Sequence, residues 1–408
     1  MPKRLEPVRT VQGPTVWHHA KSATDEASWI AQGVLALHGE GVAFRDMAVL
    51  YRAHYASRPV EEALLRAEVP HAVYSGVPFF ARREIKDALA YLRLIAFRDD
   101  LDFARVANAP KRNLGQRRMA FLREQADERG CSLYEALALT VDDDLFKRTK
   151  ARQLLDLVER FRSSYEGRPV SEVLAAVLSE SGYERALRTE GSQERLDNLA
   201  ELKQSVYEFE TTCGEEVTLE HYLAHVALFS NADAMDDAQD KVRLMTIHAA
   251  KGLEFRHVFL CSLSEGVLPS RKTSTLQGME EERRLAFVAM TRARDGLYLT
   301  EAEGRGHEGA PRYPSRFLLD IDPAALEFSN KPDDGQLDDA RSAYALVDRW
   351  IADLVRDARF AVGDRVAHAV FGTGRVEAVD TEKRAYEVRF DTLDTPRTIS
   401  FKATLTEA

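Results

Sequence analysis

Hydrophobic and polar positions change their period more than once along the chain. From Phe44 to Phe97 short apolar runs alternate with amphipathic repeats. "DMAVLYRAH" predicts a buried strand running into a polar loop, and "RPVEEALLRAEV" predicts a helix. "PHAVYSG" predicts a second strand closed at Gly76, and "EIKDALAYLRLIAF" a strongly periodic helix. That alternation is the rhythm of a parallel α/β sheet. From about Arg98 to Gln239 the periodic segments turn helical, as in "KARQLLDLVERFRSSY", "SEVLAAVLSES" and "ERLDNLAELKQSVYEFE". Strand-like runs return at "KVRLMTIH" and "RHVFLCSL". An α/β block interrupted by an all-α block and then resumed predicts an insertion within one domain, since exposed loops tolerate insertion.

After "SRFLLDI" the stretch "NKPDDGQLDDARSA" predicts a solvated linker, ending in a short helix at "YALVDRWIADLVRDA". The last segment alternates short strands with turn glycines. It predicts a small β-barrel of the SH3 or Tudor kind, with Phe371, Gly372 and Gly374 at a turn.

One stretch breaks its own pattern. In "EEERRLAFVAMTRARDGLYL", Leu285, Val288, Ala289 and Arg292 fall at i, i+3, i+4 and i+7, the inward stripe of an amphipathic helix. A guanidinium pointed inward needs a carboxylate, a phosphate or good carbonyl partners, because burying it unpaired costs several kcal/mol.

Composition narrows the class without choosing a function. Hydrophobic residues make up 45% and charged residues 30% of 408 positions, enough for two or three globular domains. No apolar run reaches the roughly 18 residues of a membrane span, and "MPKRLEPVRTVQG" has no apolar signal core. Cys131, Cys213 and Cys261 lie far apart, so neither a zinc site nor a disulfide framework is expected. The net charge of −10 argues against indiscriminate coating of nucleic acid but permits a local basic channel.

A second stretch carries chemistry. In "LMTIHAAKGLEF" a strand ends at Ile247, and "AAKG" then offers backbone N–H groups and the Lys251 ammonium at a strand-to-helix junction, a phosphate-binding geometry. An ordinary turn with a solvated lysine is the plain alternative.

Taken together, "TIHAAKGLEF", "LSEGVLPS" and "EEERRLAFVAMTRAR" resemble consecutive motifs of the superfamily 1 DNA helicases of the UvrD/PcrA group. "AVLYRAHYASRPVEEALLRAEVPHAVYSGVPFFARREIKDALAYLRLI" resembles the segment before that family's helical insertion. "NAPKRNLGQ" and "SGYERALRTEGSQERLDNLAEL" are similar to parts of the insertion, and "VGDRVAHAVFGTGRV" to its Tudor-like tail. The resemblance implies a RecA-like α/β domain at 1–97 and 241–325, a helical insertion at 98–240, a linker at 326–359 and a β-barrel at 360–408.

It also implies site roles. Arg292 would be an arginine finger reaching ATP held by a preceding domain, a role worth roughly 10³–10⁵ in rate; a core partner such as Glu281 is the alternative. Glu254 would contact the ribose, or else favour a helix start. Arg283 and Arg284 would pair with the preceding glutamates. Thr246, His248 and Lys251 would lie on the single-stranded DNA path, with Tyr51, Arg52 and His54 facing the same channel from another strand end. Lys111, Arg112 and Gly115 would meet duplex phosphates at a single-strand/duplex junction, unless "PKRNLGQRR" is only a solvated basic loop. The barrel would bind protein partners such as RNA polymerase or repair proteins, or serve structure alone.

The sequence has no GxxxxGK[ST] phosphate cradle, and no Gly is followed by Lys. The family carries that cradle on a first RecA-like domain. ATP and Mg²⁺ would therefore be shared with an N-terminal P-loop domain absent from this sequence and supplied in cis or in trans, and no metal site is expected here. Alone, the chain is expected to be inactive as an ATPase. As part of a whole it would serve 3′–5′ DNA unwinding in repair or replication, in the cytoplasm at the bacterial nucleoid, with no membrane partner. The alternative is a non-catalytic DNA- and partner-binding module.

Overall fold

The computed structural model describes residues 13–213, 217–230, 240–273, 275–305, 311–356, 359–380, 385–393, 395–401 and 403–408. They form two compact units, one of residues up to 53, 69–72 and from 240 on, the other of 54–68 and 73–239.

The first unit is built on a seven-stranded sheet. Its strands are β1 (Thr15–Ala20), β2 (Met47–Tyr51), β3 (His71–Val73), β4 (Val242–Thr246), β5 (Phe255–Leu260), β6 (Ala293–Ala302) and β7 (Glu327–Asn330). Their order is β3-β4-β2-β5-β6-β1-β7. The pairs β2–β4, β2–β5, β5–β6, β1–β6 and β1–β7 are all parallel. β2 reads Met-Ala-Val-Leu-Tyr with every residue buried, the unbroken run of a strand covered on both faces. Helix α1 (Ala23–Gly39) follows β1, its start capped by Ser22, whose hydroxyl accepts from Asp25 N at 3.1 Å.

The second unit is helical: α2 (Arg58–Arg66), α3 (Arg83–Phe97), α4 (Asp100–Val106), α5 (Gln116–Arg129), α6 (Leu133–Thr140), α7 (Ala151–Arg162), α8 (Val170–Glu180), α9 (Tyr183–Thr189), α10 (Gln193–Thr212) and α11 (Leu219–Ser230). Here the structure departs from the sequence expectation, which ended the α/β block at residue 97. Helices α2 and α3 belong to the helical unit. The reason is packing. Ile85, Ala88, Leu89, Ala90, Tyr91, Leu92, Leu94 and Ile95 are all buried, so α3 is apolar nearly all round and forms a bundle centre rather than a sheet cover. Arg58 on α2, itself buried, pairs with Glu62, Glu201 and Glu208 at 3.1, 2.7 and 2.7 Å and fixes α2 to α10.

The first unit continues with α12 (Leu276–Met290), α13 (Arg316–Leu319) and α14 (Asp334–Arg356). The solvated linker expected over 326–359 is largely this last helix. Leu337, Ala340 and Tyr344 recur at i, i+3 and i+7 and are buried, Leu337 within the sheet's core. Arg316 adds an ion pair to Asp348 at 2.5 Å while forked onto Glu265, and Tyr344 OH donates to Pro314 O.

The tail is a five-stranded antiparallel sheet, β8 (Arg365–His368), β9 (Gly372–Asp380), β10 (Ala385–Phe390), β11 (Arg397–Ser400) and β12 (Leu405–Glu407), in the order β11-β10-β9-β8-β12. Val366, Val376, Tyr386, Val388, Phe390 and Ile399 make its own core. The two glycines expected at a turn lie instead in β9, Gly372 opening it at φ +76° and Gly374 paired within it, where a Cβ would lie 2.6 Å from Arg389 O.

Candidate functional site

Strand register places the two halves of "LMTIHAAKGLEF" at opposite ends of the sheet. Thr246 closes β4 and pairs with Tyr51 at the end of β2, whereas Phe255 opens β5 and pairs with Ala293 at the start of β6. Residues 247–254 therefore run the height of the sheet. They do so as turns and not as the expected helix, with Ala250 N donating to Thr246 O and Leu253 N to Ala250 O, both at 3.1 Å. Gly252 sits at φ +83°, which stops any right-handed helix there.

At the amino-terminal end of β5 and β6 the segment meets Arg292. Helix α12 ends at Met290, and its buried stripe is Met279, Glu282, Leu285, Ala286 and Ala289, so Arg292 lies just past the helix and is half-buried. Its guanidinium reaches oxygens of uncharged groups: Nε donates to Val288 O at 2.8 Å, Nη1 to Leu253 O at 2.9 Å and Nη2 to Thr291 Oγ1 at 3.0 Å. Three of five N–H donors are thereby used. Phe255 N donates to Arg292 O at 2.9 Å. Glu254, between these contacts in the chain, is exposed with Arg294 Nε at 3.8 Å. Glu281 pairs with Arg284 at 2.9 Å, and Arg283 lies 3.6 Å from Glu280 and also pairs with Asp320.

At the carboxyl end of β2 and β4 the expected residues separate by burial. Tyr51 is fully buried, so its ring is packed in the fold and not presented for base stacking. Arg52 is partly exposed and held by Glu282, Nε at 3.2 and 3.1 Å from the two carboxylate oxygens and Nη2 at 2.7 Å from Oε1. Ser270 N donates to Glu282 Oε2 at 3.0 Å. Thr246 is half-buried, its hydroxyl accepting from Ala249 N at 3.3 Å, while His248 and Lys251 are exposed. Partial burial first, then the Arg52 and Lys251 cations, hold the His248 imidazole below the ordinary histidine range, although Glu282 and Glu281 pull it up. Sequence reading missed Glu282. Its signal was available: the residue sits three positions after Met279 and three before Leu285, on the face that the helix buries.

The other expected residues lie in the helical unit. His54 is half-buried, and burial followed by the Arg82 charge lowers its pKa. Gly115 is the N-cap of α5, with no side-chain cap bond, and both Lys111 and Gly115 are exposed. Arg112 is not exposed. It is 4% accessible, donating to Val106 O at 2.8 Å and to Tyr91 OH at 2.6 Å, while Asn108 Oδ1 accepts from its backbone N–H at 2.7 Å. The loop wraps round this arginine as a cross-brace, leaving Lys111 and Arg117 as the exposed cations of "PKRNLGQ" and the residue after it.

Among the described residues no three His, Cys, Asp or Glu side chains gather to hold a metal ion, and no helix is long and apolar enough to cross a membrane. The family model described as the UvrD-like helicase C-terminal domain matches residues 6–304. DNA helicase II of Escherichia coli (strain K12) is 35% identical over 377 residues, which cover 89% of this chain and 51% of the relative. The ATP-dependent DNA helicase PcrA of Bacillus subtilis (strain 168) is 34% identical over 388 residues, 89% of this chain and 52% of the relative. PcrA of Staphylococcus aureus (strain MRSA252) is 31% identical over 404 residues, 95% of this chain and 55% of the relative. The chain thus spans about half the length of the curated relatives it matches.

Proposed function

The chain belongs to the UvrD-like helicase C-terminal domain family, and from that premise we propose that it supplies one wall of an ATP site and one stretch of a single-stranded DNA path. The phosphate cradle comes from a P-loop domain in cis or in trans. The observation that carries the reading is the meeting of the two motif segments at one end of the sheet. Arg292 Nη1 holds Leu253 O, and the Arg292 carbonyl receives Phe255 N, so backbone bonds on both sides of Glu254 tie its segment to the loop that carries the cation.

In this reading Arg292 turns its guanidinium from the carbonyls of its own loop to the transferring phosphoryl group. A planar cation stabilises charge spread over the equatorial oxygens. Glu254 accepts from the ribose hydroxyls. Mg²⁺, held by the partner domain, neutralises the phosphate charge when bound. At the other end of the sheet Arg52, Thr246, His248 and Lys251 meet strand phosphates. Lys111 and the α5 start at Gly115 meet the duplex. Residues 247–254 link the two ends, so a change in nucleotide occupancy shifts the DNA-binding residues, which is the coupling that 3′–5′ stepping needs. The C-terminal barrel takes protein partners such as RNA polymerase or repair factors.

The test is DNA-dependent ATP hydrolysis by the chain mixed with a purified P-loop RecA-like domain. Arg292→Ala is expected to lower kcat by roughly 10³-fold or more with little change in KM for ATP, and Glu254→Ala to raise KM. Turnover that survives Arg292→Ala would sink the reading. A second reading, a DNA-binding module without catalysis, draws on the fact that three of the Arg292 donors already meet oxygens of its own unit. It expects oligonucleotide binding with no turnover in any mixture.

A further inference from the structure

The chain just past α12 closes a ring of hydrogen bonds on the last turn of that helix. The Arg292 N–H donates to Ala289 O, one residue short of the regular helical partner, so it passes over Val288 O at the helix end. Two side chains take its place. Arg292 Nε donates to Val288 O at 2.8 Å, and Thr291 Oγ1 donates to the same oxygen at 3.0 Å. Thr291 Oγ1 in turn accepts from Arg292 Nη2 at 3.0 Å, which completes the ring. The partial negative charge at a helix's carboxyl end favours the guanidinium there as well.

Thr291 is the C-cap residue, half-buried, with φ −77° and ψ 4°. Its hydroxyl donates one hydrogen and accepts another at the same time, which a valine of the same shape cannot do. Nη1 donates to Leu253 O at 2.9 Å, so by donor count one hydrogen remains on each terminal nitrogen of Arg292. An arginine that exchanges carbonyls for a phosphoryl group makes two demands on its surroundings. It needs an acceptor that keeps its direction during the change, and the vacated carbonyl needs another donor. The Thr291 hydroxyl meets both.

Resting on the reading of Arg292 as the cation of the ATP site, we infer that Thr291 is a positioning residue. Its hydroxyl, anchored on Val288 O, is the post about which the guanidinium turns toward the transferring phosphoryl group. When Nε leaves Val288 O, the Thr291 hydrogen stays on that carbonyl, so the turn strands no acceptor at the helix end. Nη2 keeps Thr291 Oγ1, so the direction of the cation stays set while its remaining hydrogens engage phosphate. Thr291 itself acts only through Arg292.

The experiment is steady-state ATP hydrolysis with single-stranded DNA present, by the chain mixed with a purified P-loop RecA-like domain. It compares wild type, Thr291→Val, Thr291→Ser and Arg292→Ala, each confirmed as fully folded by circular dichroism at the assay temperature. Thr291→Val should lower kcat about tenfold, the effect of one hydrogen bond, with KM for ATP within about twofold of wild type. Thr291→Ser restores the hydroxyl and should return kcat to within about twofold of wild type. If Thr291→Val does not fold, Thr291→Ala carries the test. An unchanged or raised kcat in the valine variant overturns the inference. A raised KM with kcat kept overturns it too, because the hydroxyl would then bind the nucleotide directly. A serine variant as slow as the valine one overturns it equally, since the hydroxyl would not be the agent. Turnover that survives Arg292→Ala, or no turnover by the wild-type mixture, overturns the reading of Arg292 and takes the inference with it.

Discussion

Arg112 and Arg292 are both arginines in recognisable stretches, and burial gives them opposite expectations. Arg112 is almost sealed and donates to a buried carbonyl and a buried tyrosine, so Arg112→Ala leaves those acceptors unpaired. Its expected loss is about 2–4 kcal/mol of stability in a urea titration. Half-buried Arg292 gives to carbonyls that water can also reach, and Arg292→Ala should cost under about 1 kcal/mol while removing turnover. The sequence marked both as cations in motifs. It could not say which one its own loop would enclose, because Asn108 and Tyr91 close round Arg112 only in three dimensions. Tyr51 is a similar case: a strand-end aromatic reads alike whether it faces a channel or the core, and packing put it in the core. A further residue-scale expectation concerns His19, buried between Glu301 at 2.7 Å and Glu303 at 2.8 Å. Burial alone would lower its pKa, but the two carboxylates prevail and raise it. The stabilisation from protonated His19 is complete below the unfolded histidine value of about 6.5 and is lost as pH climbs through the raised native value. His18, His54, His225, His248 and His257 shift downward and oppose this trend, so the comparison must isolate one residue. The stability difference between wild type and His19→Asn should be larger at pH 6 than at pH 9. A difference that grows with pH would reverse the assignment.

At the scale of elements, periodic apolar patterns were the most readable feature. β2, β4, β5 and α12 lie where alternating and 3.6-residue patterns put them, and the resumption of the sheet after a helical insertion was visible as a change of period. Two features were hidden for physical reasons. Helix α3 looked like a sheet-covering helix because its pattern is periodic, yet its polar positions are few and the helical unit surrounds it. The second half of helix α14 was expected at "YALVDRWIADLVRDA", but its first turns were concealed by "DDGQLDDARSA", whose acidic and small residues resemble a solvated tract. Among the described side chains, Leu337, Ala340 and Tyr344, spaced one or two turns apart, are the buried apolar residues that seat it, with Val347 partly buried beside them. Leu337→Ala should therefore cost about 2–4 kcal/mol, whereas Leu346→Ala, at a position 65% exposed on the same helix, should stay within about 0.5 kcal/mol. Equal losses, read from denaturant midpoints, would mean that α14 is not seated through that stripe.

Across the whole molecule, net charge and sheet direction frame the function. With −10 overall, the DNA binding proposed above would rest on a few cations such as Arg52, Lys251 and Lys111. Roughly three phosphate contacts, two to the single strand and one to the duplex, predict about a twentyfold loss of affinity between 50 and 200 mM salt. Binding indifferent to salt would require contacts of another kind. The parallel sheet supplies the geometry that the family motifs need, because its strand directions put Thr246 and Phe255 at opposite ends and make residues 247–254 a link between them. The most direct measurement is ATP hydrolysis with single-stranded DNA present, first by this chain alone and then as a P-loop RecA-like domain is titrated in. No turnover is expected from the chain alone, and turnover should rise with the added domain and disappear with Arg292→Ala. DNA-stimulated hydrolysis by the chain alone would contradict that expectation, since the phosphate cradle would then lie within these 408 residues.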